Sequence, residues 1–233
     1  MSTDPILLTI YLLTIVLFIF RIYDSFNDEY TIKLDAKALD SNLEEKAVGE
    51  KKLSEIVGIG FSFDKRYEFK GKLNKLSISI NNKSEDYIVY ADWDYSTITD
   101  LEGKARRVTR ILPGMTLDLF QNQVFSTIAP KTALKESITA EDLLQRKKDK
   151  DEYELPDDKT LIDLLPAKPS DGLKKKLNYF KKRLPDSDLE FFLDLALRFT
   201  SFSSSSNGHR FHILCKFTLT KYPWYVGVPW NPK

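Results

Sequence analysis

Residues 191–199 read FFLDLALRF and residues 211–219 read FHILCKFTL. In the first run Phe191, Leu193, Leu195, Leu197 and Phe199 alternate with Phe192, Asp194, Ala196 and Arg198. In the second, Phe211, Ile213, Cys215, Phe217 and Leu219 alternate with His212, Leu214, Lys216 and Thr218. Side chains two apart lie on one face of a strand, so each run predicts a strand with a wholly apolar face. The tract Ser203–Gly208 between them is built of small, turn-forming residues. Two matched strands around such a tract predict a β-hairpin packed on a core.

The same period recurs upstream. Val57, Ile59, Phe61 and Phe63 alternate with Gly58, Gly60 and Ser62, a strand pattern weakened by glycine. Leu76, Ile78 and Ile80 share a face, Asn81–Ser84 breaks the run, and Tyr87, Val89, Ala91 and Trp93 resume it. Val108–Leu112 closes on Pro113-Gly114, the pair that suits a type II turn. Met115–Leu119, Val124–Ile128 and Leu134–Ile138 are further extended candidates. Counted from Leu76 the strands number about seven, which predicts a mainly β fold, a two-layer antiparallel sandwich.

Residues 139–188 interrupt it. Thr139–Asp142 resembles a capping box, Gln145–Asp158 is almost wholly charged, and Leu173, Leu177, Phe180 and Leu184 recur at helical spacing until Pro185. This span is expected to be a charged, helical insertion before the last hairpin.

At the other end, Ile6–Phe20 carries no charge, and Ile22 and Tyr23 extend the run past Arg21. A helix over those eighteen positions is roughly 27 Å long, close to a hydrocarbon core of about 30 Å. With no basic n-region and no small-residue cleavage site, the segment is expected to be an uncleaved single-pass anchor over residues 1–26, touching lipid through Ile6, Leu13 and Phe20 and bounded by Arg21. Arg21, Lys33 and Lys37 follow it and no basic residue precedes it, which places the domain on the cytoplasmic side. Residues 27–55 are polar and charge-mixed, with Asp40-Ser41-Asn42 able to cap a short helix, and are expected to form a partly helical stalk. Residues 56–233 then form the β domain.

The chain has 233 residues, 42% of them hydrophobic and 12% aromatic, enough for a sizeable core. Lys+Arg 35 against Asp+Glu 34 leaves a net charge of +1, which removes the global electrostatic argument for a nucleic-acid partner. One cysteine and two histidines exclude an intramolecular disulfide framework and a cysteine-rich zinc module.

Ser77–Asn82, then Tyr90-Ala91-Asp92-Trp93-Asp94, then Leu112-Pro113-Gly114 resemble the strand, kink and strand pattern of immunoglobulin-like bacterial sandwich domains. The anchored layout ending in Trp224, Pro229, Trp230 and Pro232 is similar to uncharacterised single-pass proteins of cyanobacteria. Neither resemblance brings catalytic residues or a cofactor.

Chemistry-bearing residues are sparse. His209, His212 and Cys215 are spaced like metal ligands, but on a strand His212 faces away from the other two. Cys215 falls in the apolar face, where a thiol is a small buried hydrophobe. Asp92, Asp94 and Asp100 lack the glycine and bidentate glutamate of an EF-hand loop. Tyr90, Trp93 and Tyr95 beside those acids can be drawn as a carbohydrate platform, with Trp93 as a core anchor the competing reading. No phosphate-loop, nucleophile-elbow or zincin motif is present. No catalytic residue, metal or cofactor is expected.

One surface stands out. Leu173–Leu184 reads LKKKLNYFKKRL, with Lys174, Lys175, Lys176, Lys181, Lys182 and Arg183 and no acid. Such a helix can lie on an anionic leaflet or dock a partner, or it can pack its apolar stripe and leave its lysines in water. The sequence is thus read as a non-enzymatic single-pass membrane protein whose β-sandwich binds a protein partner, an adaptor, accessory subunit or assembly factor. The alternative is a lipid-surface or carbohydrate-binding module.

Overall fold

A computed structural model describes residues 4–25, 29–71, 73–111, 122–146, 153–201, 208–223 and 226, with the backbone alone for 21–25. The Pro113-Gly114 turn, the Met115–Leu119 strand, most of the Ser203–Gly208 tract, Trp224, Pro229, Trp230, Pro232 and the Arg21 side chain lie outside the described residues.

The first elements are a helix α1 (Asp4–Ser25), β1 (Glu29–Leu34), α2 (Ala36–Glu44), β2 (Ala47–Val48), β3 (Lys51–Lys52), a single-turn α3 (Leu53–Ile56), β4 (Val57–Ser62) and β5 (Tyr67–Glu68). Then come β6 (Leu76–Asn82), β7 (Tyr87–Thr99), β8 (Ala105–Arg110), β9 (Ser126–Ile128) and β10 (Ala133–Ala140), followed by a 3-10 turn at Glu141–Leu143. The last are β11 (Gln145–Arg146), β12 (Tyr153–Glu154), α4 (Asp171–Lys182), β13 (Leu189–Ser201) and β14 (His209–Lys221).

The hairpin is as the alternation predicts. β13 and β14 pair antiparallel from Leu189↔Leu219 to Phe199↔His209, and the odd-numbered residues Phe191–Leu197 and Ile213–Leu219 are buried. Gly208 has φ +77, and a Cβ there would sit 2.5 Å from the Phe199 carbonyl oxygen, so only glycine fits this corner.

The expected pair of sheets is one curled sheet instead. Its antiparallel order runs β4-β6-β10-β8-β7-β13-β14-β1-β5, with β9 added on β7. β8 makes the corner: Ala105–Arg107 pair with β7, while Val108–Arg110 pair with β10. A strand that changes partner half-way turns the sheet back on itself, as in an orthogonal packing. The two ends of the sheet, β4 and β5, are consecutive in the chain, so residues 63–66 cross from one edge to the other. Alternation marks a half-buried strand but is silent on pairing, which is why a seven-strand sandwich was the wrong architecture for the right class. Residues 29–34, expected in the stalk, are a strand of this sheet, with Ile32 opposite Leu219.

The membrane anchor is corrected more fundamentally. α1 forms where the apolar run predicts a helix, but among the described residues no helix is long and apolar enough to cross a membrane. The uncharged stretch Ile6–Phe20 is fifteen residues, about 22 Å of helix against about 30 Å of hydrocarbon. The extra positions that brought the expected span closer include Arg21. The single-pass assignment, the membrane localisation and the cytoplasmic orientation derived from it therefore fall. Ile6, Leu13 and Phe20 are exposed side chains of α1.

Two local corrections follow from capping. α2 starts at Ala36, four residues before the expected cluster, because Asp35 accepts the Ala38 amide at 3.1 Å. At Thr139 the strand runs on through Ala140, since the Thr139 hydroxyl donates to the Asn74 carbonyl at 2.7 Å rather than capping a helix.

Candidate functional site

The basic helix is placed as Leu173, Leu177 and Phe180 predict, but it ends at Lys182 rather than at Pro185, and Leu184, expected on the stripe, is exposed. Ser170 caps α4 by accepting the Leu173 amide at 3.3 Å, and Arg183 closes it in the left-handed region with φ 53. Leu173, Leu177 and Phe180 are buried, with Phe180 stacked on Phe69 at 5.5 Å. Lys174, Lys175, Lys176, Lys182 and Arg183 are exposed and Lys181 is half-buried. None of the six has a carboxylate partner among the described residues, and Lys175 lies over the Tyr179 ring at 5.8 Å. These cations cover the solvent-facing side of α4 as a basic ridge, and among the described residues no acid engages them.

Trp93 is a core residue. Between Asp194 and Ala196 the register to β7 shifts, so Trp93–Ser96 bulge opposite Leu195. The Ser96 hydroxyl repairs the ladder by donating to the Asp92 carbonyl at 2.7 Å and accepting the Ala196 amide at 3.0 Å. Trp93, fully buried, donates its Nε1–H to Ser126 Oγ at 2.9 Å, and Ser126 in turn donates to Glu136 at 2.8 Å. Arg110 neutralises that carboxylate at 3.4 Å and also donates to the Val124 carbonyl at 2.7 Å. Beside it Arg107 bridges Asp94 and Glu141. Three of the carboxylates nearest the bulge are thus committed to arginines, which suits a structural network better than acid–base chemistry.

The bulge also builds a surface that sequence reasoning missed. Arg198 lies over Tyr90 at 4.8 Å and Phe125 at 4.6 Å, and Arg210 lies over Tyr95 at 4.0 Å. Beneath them Asp92 is 1% exposed, its Oδ2 2.8 Å from Arg210 Nη2 but without a directed hydrogen bond, and Arg198 Nε has no acceptor. Burial raises the Asp92 carboxyl above the usual range, partly opposed by the Arg210 charge. Around this pair Tyr95 is 56%, Val124 72% and Phe125 38% exposed. The cluster joins β7, β13, β14 and the segment before β9, residues up to 120 positions apart. The alternation of β13 marked Arg198 as an outward position, but Arg210 precedes the run read as β14 and meets Arg198 only through the strand register, and nothing in the sequence said which rings meet them.

The remaining candidates separate. Among the described residues no group of three His, Cys, Asp or Glu side chains is placed to hold a metal ion. His212 points outward to Asp194 at 3.2 Å, whereas Cys215 is buried and its thiol is pushed up to about 12 by desolvation. Asp100 accepts the Glu102 and Lys104 amides at 2.9 and 3.0 Å, which makes it a turn residue.

The fold and these surfaces define a mainly β protein with one curled antiparallel sheet. No family model matches the chain, and no curated protein matches it. A crystal structure of a protein from Archaeoglobus fulgidus is similar over 70% of this chain and 94% of that one, at 11% identity and a TM-score of 0.23. A likeness that low carries no argument here.

Proposed function

We propose that this chain is a non-enzymatic binding protein, an adaptor or accessory subunit, that receives a protein partner on the outer face of β7, β13 and β14. The observation that carries this reading is the exposed cluster of Tyr95, Val124 and Phe125 around the ring-stacked Arg198 and Arg210. Tyrosine, phenylalanine and arginine are enriched at interface cores, where a few such anchors supply most of the binding energy. Ring stacking holds both guanidinium groups in place before binding, which lowers the entropy cost of ordering them. The carbohydrate reading loses its main ring with Trp93 in the core.

The test is affinity capture with the full chain, followed by Arg198→Ala/Arg210→Ala and Tyr95→Ala variants whose folding is checked by circular dichroism. The partner captured by the wild type should be lost by the variants and kept when the six α4 cations are changed to Gln. Retention by folded Arg198→Ala/Arg210→Ala would remove the reading.

A further inference from the structure

Beside the α4 ridge lies a cleft of about 430 Å³ lined by Asp100, Glu102, Asp186, Asp188 and Glu190, with Lys176 and Tyr179 of α4 forming its shared wall. Among the described residues only Glu190 of these five acids has a cationic partner, Lys216 at 2.7 Å. Asp188 accepts the Thr220 hydroxyl and Glu102 accepts the Ser170 amide, contacts that leave their charges uncompensated. The solvent-facing side of α4 therefore carries six cations with no acid partner among the described residues, and the adjoining cleft, which Lys176 also lines, carries four acids with no paired cation among them.

We propose that this face pairs with a second copy of the same chain, the α4 ridge of each protomer entering the acidic cleft of the other. A twofold axis near Tyr179 brings each patch onto its complement, and such an isologous contact counts every charge pair twice. A net charge of +1 gives two copies no appreciable overall repulsion. The acidic complement of the ridge is thus present in the chain itself. This inference is independent of the partner face on β7, β13 and β14.

Sedimentation velocity of the full chain at low and high salt tests it. The expected result is a dimer whose dissociation constant weakens roughly tenfold or more as salt rises, because exposed charge pairs are screened. Lys175→Glu/Lys182→Glu should be monomeric at low salt. So should Asp186→Lys/Asp188→Lys, and an equimolar mixture of the two variants should recover a heterodimer. Association through the exposed apolar side chains of α1 would instead persist or strengthen with salt and ignore both charge reversals. That behaviour, or a wild type monomeric at every salt concentration, would overturn the proposal. Capture of the partner by the β-face is measured separately and should be unchanged in both variants.

Discussion

Phe61 and Phe217 meet edge to face with ring centroids 4.8 Å apart, although five strands separate β4 from β14 in the order of the sheet. Only a sheet that curls until its first strand covers its seventh can bring them together. Phe63 and Phe191 add contacts to the same Phe217 ring at 5.7 and 4.7 Å. The core thus closes on Phe217 from both halves of the sheet.

Phe217→Ala is therefore expected to destabilise the protein by about 3–5 kcal/mol, the range for a large buried aromatic. Phe61→Ala, on a half-buried residue, should cost less, and the double variant should show a coupling of about 0.5–1.5 kcal/mol. Urea unfolding of the four proteins checks this. Strict additivity would mean that the contact across the seam contributes nothing.

The corner at β8 gives a second prediction. Arg110→Met leaves Glu136 largely buried without its cation and is expected to cost about 3–5 kcal/mol. Glu136→Leu in addition should recover much of that loss, because the pair leaves the core together. Thermal unfolding of the single and double variants distinguishes a satisfied network from a solvated one.

The mainly β character was legible because the inward residues of β13 and β14 repeat every second position without a break. α4 was legible for the corresponding reason at helical spacing, with Leu173, Leu177 and Phe180 all turned inward. The architecture was not legible, because it depends on β8 exchanging partners between Arg107 and Val108, a matter of register that leaves no mark on composition. β1 escaped because EYTIKL is short and its flanking charges resemble a stalk. The partner face depends on a four-residue bulge at Trp93–Ser96 that re-aims Tyr95, and the acidic cleft gathers residues from the β7–β8 turn and the segment after α4. Both are products of tertiary structure. The apolar run at residues 6–20 was legible as a helix, α1, but its uncharged span was overstated by counting past Arg21.

Asp92 supplies a pH prediction. Its folded carboxyl titrates above its unfolded value, so the native state binds the proton more readily than the unfolded chain. The penalty for burying the charge is present above the folded value and is relieved as pH falls through it toward the unfolded value of about 3.9. Wild-type stability measured relative to Asp92→Asn should therefore rise as pH is lowered through that window, whatever the other carboxylates do. A relative stability that falls instead would show that the Arg210 charge outweighs desolvation.

Cys215 reports on global opening. With its thiol buried and pushed up to about 12, a thiolate is nearly absent at neutral pH in the folded state. Labelling by a thiol reagent should occur only through unfolding, and its rate should follow denaturant concentration as the unfolding equilibrium does. Rapid labelling without denaturant would place Cys215 outside the closed core.

The most direct test of the partner face uses site-specific photo-cross-linking from the surface itself. A benzoylphenylalanine replacing Tyr95 keeps an aromatic ring at the exposed edge of the Arg210 stack, and the same group at Lys175 samples the α4 ridge. The account predicts a covalent adduct with the captured partner from position 95, lost on Arg198→Ala/Arg210→Ala, and none with that partner from position 175. An adduct confined to position 175, or one from position 95 that ignores the loss of both arginines, would contradict it.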